Sequence, residues 1–160
     1  MATGMERLRF MQGEWDVEAY LADGEGQWLS TPLPNETTIT SIFGGKFHQE
    51  DMVIAIGEVI TRQFYSWSYD SYRQVYRMVS CDRNTGLMDI LEGSFEPDSD
   101  TVTITDIRSG TTVLEADGSS SYIRLASTKN HQDSFTDIVS ESRDGGETWQ
   151  PLFKAVHTRK

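Results

Sequence analysis

Gln63-Phe64-Tyr65-Ser66-Trp67-Ser68-Tyr69-Asp70, then Ser71-Tyr72-Arg73, then Gln74-Val75-Tyr76-Arg77-Met78, is the stretch on which the reading of the fold turns. Tyr65, Trp67 and Tyr69 recur at every second position, so on a strand they occupy one face while Ser66 and Ser68 occupy the other. Asp70 to Arg73 has the composition of a turn, and Val75 to Met78 resumes a β-prone run. The expectation is a hairpin whose aromatic wall carries hydroxyl tips, joined by Tyr76 if the register allows. Such a wall either packs a core or lines a ligand cavity, and the direction it faces decides between them.

The same rhythm extends both ways along the chain. Met5, Leu8 and Met11 have helical spacing and precede Gly13, which predicts a short N-terminal helical segment. Trp15, Val17, Ala19 and Leu21 then alternate with Asp16, Glu18 and Tyr20 as a half-buried strand. Gly24, the Pro-bearing segment through Pro34, Gly44-Gly45, Gly57, Gly86, Pro97, Gly110, Gly118 and Gly145-Gly146 punctuate the remainder of the chain. Between these breaks lie about ten short strands with almost no helix, the pattern of an up-and-down antiparallel all-β chain. Closure into a barrel removes the edges an open sheet would have to protect, and a barrel of about eight or more strands holds a small ligand. No long-period repeat points to a propeller or solenoid.

Composition narrows the function. The 160 residues fit a single domain, 1–160, and 37% hydrophobic with 11% aromatic content suffices for a packed core. A net charge of −11 lacks the clustered basic surface that phosphate contacts need, which excludes nucleic acid as the expected partner. Cys81 stands alone, so no intramolecular disulfide or cysteine-rich zinc site forms, and a cytoplasmic location is expected. The first residues have no apolar run ahead of their charges, and no run of about 18 apolar residues occurs, so neither a signal peptide nor a membrane-spanning helix is expected.

Several residues carry potential chemistry. Asp89 shares a strand face with Leu87 and Leu91, and Asp137 with Phe135 and Val139, so an inward-facing set would bring both carboxylates into the interior. The favoured alternative turns Met88, Ile90 and Ile138 inward and leaves the carboxylates solvated, because charges are rarely buried unpaired. Glu50 and Asp51 are adjacent, hence on opposite strand faces, and cannot act as a catalytic pair. His48, on an early strand, and His157, near the C-terminus, are the remaining ligand-binding candidates.

Two motifs have local explanations. Ser142-Arg143-Asp144-Gly145-Gly146-Glu147-Thr148-Trp149 matches the Asp box, in which Ser and Asp side chains bond to turn backbone and Trp packs beneath a hairpin. It occurs once and is a clamp, with no catalytic part. Gly13-Glu14-Trp15, after the helical segment, has the form Gly-x-Trp.

Leu8 to Trp15, Phe43 to Phe47, Trp67 to Asp70 with Tyr76, and Ser142 to Trp149 together resemble an uncharacterised lipocalin-like (calycin) family of bacterial domains of unknown function. The resemblance spans nearly the whole chain and implies a β-barrel with a central cavity. In lipocalins the Gly-x-Trp tryptophan closes the barrel floor and stacks with a late basic side chain, here Lys154 or Arg159. The haem-binding nitrobindins are distantly similar and use a late-strand histidine as iron ligand, a position that His157 shares. The resulting expectation is a lipocalin-like barrel that binds a small, partly apolar molecule through Tyr65, Trp67, Tyr69, Tyr76, Asp89, Asp137, His48 and His157. No cofactor, metal or membrane is expected, with haem on His157 and a carboxylate enzyme as the alternatives and a homodimer as an open arrangement.

Overall fold

A computed structural model describes residues 4–31, 35–56 and 59–160. Twelve strands follow a 3-10 helix over Gly4–Met11: β1 (Gly13–Ala22), β2 (Trp28–Ser30), β3 (Asn35–Ile42), β4 (Phe47–Ile56), β5 (Val59–Asp70), β6 (Val75–Asp82), β7 (Met88–Phe95), β8 (Thr101–Thr105), β9 (Val113–Leu114), β10 (Ser120–His131), β11 (Ser134–Ser142) and β12 (Gln150–Arg159). The prolines at 32 and 34 and the turn expected at Gly57 lie outside the described residues.

Ten of these strands close into an antiparallel barrel in the order β1-β3-β4-β5-β6-β7-β8-β10-β11-β12, with β12 pairing back to β1. β2 and β9 are short additions that pair with β1 and β10. Consecutive strands run up and down, so the barrel has two distinct ends. One end is a floor covered by the 3-10 helix. The other is a rim formed by the β6–β7 and β11–β12 connections. Among the described residues no helix is long and apolar enough to cross a membrane.

Strand alternation fixes the interior. Trp15, Val17 and Ala19 on β1 are buried between exposed Asp16 and Glu18, and His48, Glu50 and Met52 on β4 are buried beside exposed Asp51. Period-two patterning is what a closed sheet with one wet face requires. The aromatic hairpin is β5–β6, in the register Trp67–Met78 and Tyr69–Tyr76. Its turn is held by Asp70, whose Oδ1 accepts the amides of Tyr72 and Arg73 at 3.0 and 3.1 Å.

Gly13-Glu14-Trp15 forms the floor. Trp15 is fully buried, its indole N–H donates to the Met11 carbonyl at 2.9 Å, and the Arg159 guanidinium lies 4.2 Å over its ring. Phe135 meets the indole edge-on at 4.9 Å. Arg159 is thus the basic partner, while Lys154 covers Tyr20 and Trp28 outside. Gly13 has φ +134°, and the Arg159 Nη1 occupies the space that a Cβ there would need. That nitrogen donates to the Gln12 carbonyl at 3.0 Å, tying helix, first strand and last strand together.

The Asp box closes the β11–β12 hairpin at the rim. Ser142 Oγ accepts the Gly146 amide at 2.8 Å, and Asp144 Oδ1 accepts the Thr148 amide at 2.9 Å. Trp149 packs under the Arg124 guanidinium at 4.7 Å. The Thr148 hydroxyl, the Thr148 amide and the Ser142 hydroxyl hold the Asp144 carboxyl down to a pKa of about 2. The Ser142, Asp144 and Thr148 side chains are all engaged within the turn, as a clamp requires.

Candidate functional site

Above the floor the barrel interior holds a partly open cavity of about 420 Å³. Its deep end is apolar: Met11, Ile39, Trp67, Met78, Leu91 and Phe135 meet there. Nearer the rim the wall carries Thr61, Gln63 and Asp82, and Leu87 and Leu152 are each 39% exposed at its edge.

Between the two zones runs a polar belt that follows from register. Glu50 on β4 pairs with Tyr65 on β5, Tyr65 with Ser80 on β6, and Ser80 with Asp89 on β7, all on the inward face and all lining the cavity. From the far wall Ser127 on β10 and Asp137 on β11, themselves paired, complete the belt. Three strands, β3, β1 and β12, separate β4 from β11, so Glu50 and Asp137 look toward each other from nearly opposite walls.

The electrostatics of the belt are those of acids with no counter-charge. Among the described lining residues there is no Lys, Arg or His. Glu50 is 6% exposed, and Thr37 Oγ1 donates to its Oε1 at 2.8 Å. Burial, and then the Asp137 carboxyl, push the Glu50 pKa up to about 8, against the pull of the Thr37 bond. Burial raises the Asp137 pKa to about 7, offset slightly by the nearby Ser127 hydroxyl. No hydrogen bond of ordinary geometry reaches Asp137 Oδ1 or Ser127 Oγ, both buried. Burial raises the Tyr65 phenol as well, and Glu50, Asp137 and Asp82 add to that shift.

Behind β7 a second carboxyl group supports the belt. Thr111 Oγ1 donates to Asp89 Oδ1 at 2.7 Å, and the Ile123 amide donates to Asp106 Oδ1 at 2.8 Å. Burial lifts the Asp106 pKa to about 6, with the neighbouring Asp89 carboxyl raising it further against the Ile123 amide.

The structure sorts the sequence candidates by depth. Tyr65, Trp67, Asp89 and Asp137 line the cavity. The expected solvation of the two aspartates is corrected: Met88 is 59% exposed and Asp89 5%, so Leu91 and Asp89 define the inward face of β7. Tyr69 and Tyr76 face inward but sit below the cavity, because they lie at the turn end of their hairpin, which the 3-10 helix covers. Tyr76 donates its hydroxyl to the Gly4 carbonyl at 2.9 Å, and its ring lies 5.0 Å from that of Tyr69.

His48 and His157 are likewise floor residues, fully buried and off the cavity wall. His48 Nε2 meets Gln12 Nε2 at 2.7 Å. His157 stacks face to face on Phe135 at 3.9 Å and 9°, edge-on to Trp15, and among the described residues neither ring nitrogen has a hydrogen bond of ordinary geometry. Burial lowers both imidazole pKa values to about 4.

Glu50, Ser80 and Ser127 are belt residues that sequence reasoning misses. Adjacency to Asp51 excludes Glu50 from a catalytic pair with that residue and nothing more, and Glu50 sits two residues from His48 and Met52 on the same face. Asp106 shares the face of Val102 and Ile104, a signal visible in the alternation.

No protein-family model matches the chain, and no curated protein matches it. Among solved structures it is similar to the crystal structure of Rv2717c from M. tuberculosis, with TM-score 0.67 over 98% of this chain and 96% of that one at 13% identity. A likeness at that identity shows the barrel fold, and function must come from the site.

Proposed function

We propose that this chain is a lipocalin-like binding protein that takes one small, partly apolar molecule into the barrel. The observation that carries this reading is the cavity of about 420 Å³, within the range of roughly 300–1,000 Å³ typical of small-molecule sites. Trp67, Phe135 and the methionines supply apolar area, and the belt supplies a few convergent polar groups, the division of labour such sites use. A cytoplasmic setting accords with the single thiol, Cys81.

Binding of N-phenyl-1-naphthylamine, neutral at pH 7, tests the reading. Its fluorescence is expected to rise at a stoichiometry of one per chain, and Leu125→Trp, which fills the cavity, is expected to abolish the rise while the far-ultraviolet spectrum is kept. An unchanged signal with the parent protein, with no binding of smaller aryl probes either, overturns the proposal.

Haem ligation by His157 is the second reading, favoured by its two buried, unpartnered nitrogens. The fully buried position of His157 in the floor, off the cavity wall, weighs against it. A Soret band on haem titration, lost in His157→Ala, would support it, and a flat titration would remove it. A third reading makes Glu50 or Asp137 a general base, since raised carboxyl pKa values near neutrality suit proton transfer.

A further inference from the structure

We infer that the molecule bound in this barrel is an amphipathic organic cation, a primary or secondary ammonium with an aryl or alkyl body. The inference rests on the small-molecule reading above and names the chemical class that this cavity selects.

The cavity wall presents four carboxyl side chains, Glu50, Asp82, Asp89 and Asp137, from four different strands. No cationic side chain among the described lining residues answers them. Asp82 and Asp89 already have partners: Asp82 Oδ1 accepts the Asn84 amide at 2.7 Å, and Asp89 accepts the Thr111 hydroxyl. The deeper pair is different. Among the described residues Asp137 Oδ1 is buried on the wall with no hydrogen bond of ordinary geometry, and the one hydroxyl near enough to lower its pKa, that of Ser127 (1% exposed), is out of line with it and has no other partner. Buried polar atoms are nearly always satisfied, and an orphaned pair on the wall of a cavity marks where a ligand donor belongs.

Charge decides the sign of that ligand. A carboxylate-bearing ligand would find no cation among the described lining residues to receive it, and in the low-dielectric interior it could enter only with the belt acids protonated or by taking up a proton itself. A neutral hydrocarbon ligand supplies Asp137 and Ser127 with no donor, and a neutral hydroxyl supplies only one. An ammonium group carries two or three N–H donors, and the belt offers Asp137, Ser127 and Glu50 as acceptors for them. The Tyr65 and Trp67 rings, two residues apart on the wall, offer the aromatic faces that attract a cation, while Trp67, Met78 and Phe135 receive the apolar body.

The groups facing the ammonium are Glu50 from β4, Tyr65 from β5, Asp82 from β6, Asp89 from β7 and Asp137 from β11. In the ligand-free barrel burial holds Glu50 and Asp137 largely or partly protonated near pH 7. A bound ammonium favours their ionised forms. Binding therefore follows RNH3+ + Glu50-COOH → RNH3+···−OOC-Glu50 + H+, and the proton goes to the buffer.

The test is calorimetric titration at pH 7.5 of three ligands that share one ring system: 1-naphthalenemethylamine, 1-naphthalenemethanol and 1-naphthoic acid. The amine is expected to bind at least tenfold more tightly than the alcohol, with no detectable binding of the acid. The apparent amine enthalpy is expected to differ between phosphate and Tris buffers in the sense of proton release, with the alcohol enthalpy indifferent to buffer. Glu50→Gln combined with Asp137→Asn is expected to bring amine and alcohol within about threefold of each other while alcohol binding persists. If that double variant does not fold, the ranking and buffer dependence of the parent protein decide the matter. Alcohol or acid binding as tightly as the amine overturns the inference. Should N-phenyl-1-naphthylamine still bind in that case, the small-molecule reading stands without it. If none of the four probes binds, both readings fall.

Discussion

Gly13 shows how one residue ties sequence to tertiary structure. Its φ of +134° is open to glycine and costly for other residues, and the space beside its Cα is filled by Arg159 Nη1. That guanidinium cannot give way freely, because it bonds to the Gln12 carbonyl, lies over Trp15 and pairs with Asp133 at 3.1 Å. Gly13→Ala is therefore expected to destabilise the barrel by about 2–4 kcal/mol, from backbone strain plus displacement of Arg159. Urea denaturation measures it. A loss below about 0.5 kcal/mol would mean that Arg159 is dispensable to the floor. The Gly-x-Trp spacing makes Trp15 legible as a floor residue, but Lys154 and Arg159 are equal candidates for its partner in the sequence. Register separates them: Arg159 pairs with Trp15 across β1 and β12, whereas Lys154 pairs with Tyr20 and points outward.

At the scale of elements, alternation and turn chemistry are legible because each is local. The Tyr65–Trp67 wall, the Asp70 turn and the Ser142–Trp149 clamp each form where their residues place them. The clamp can be probed separately. Ser142 is 2% exposed and its hydroxyl accepts the Gly146 amide, so Ser142→Ala leaves that amide unpartnered and is expected to cost about 1–2 kcal/mol. Cavity binding should be unaffected, since the clamp lies at the rim, and a change in probe affinity would refute that separation. Depth along a strand is not legible. Period two assigns Tyr69 and Trp67 to one face but cannot say that the helix covers the first and leaves the second on the cavity wall. The inward turn of Glu50, and the choice of the inward option over the solvated one for Asp89 and Asp137, escape sequence reasoning for a different reason. The rule that unpaired charge avoids burial presumes a filled core, whereas a cavity lets a carboxyl face inward, and burial keeps those of Glu50 and Asp137 protonated toward neutral pH.

Across the whole molecule these buried groups give stability a pH dependence with a definite sign. Glu50, Asp137 and Asp106 have folded pKa values of about 8, 7 and 6 against ordinary values of 4.5, 3.8 and 3.8. As pH rises through those windows the unfolded chain gives up protons that the folded chain retains, so stability falls. His48 and His157 act oppositely, because their folded values of about 4 lie below the ordinary 6.5. In their window the unfolded chain binds more protons, so stability rises with pH until about 6.5. Between about pH 4 and 6 the two sets largely oppose each other. Above 6.5 the histidine contribution fades and is complete by about pH 7.5, while Asp137 and then Glu50 dominate, each with a slope of up to about 1.4 kcal/mol per pH unit. Urea unfolding at pH 6.5, 7.25 and 8 is therefore expected to show a steady loss of stability. Glu50→Gln should remove most of that loss between pH 7.25 and 8 and leave the protein more stable than its parent at pH 8. A parent curve that is flat or rises over this interval would show that Glu50 is ionised in the empty barrel, and a slope that survives Glu50→Gln would assign the proton to another group.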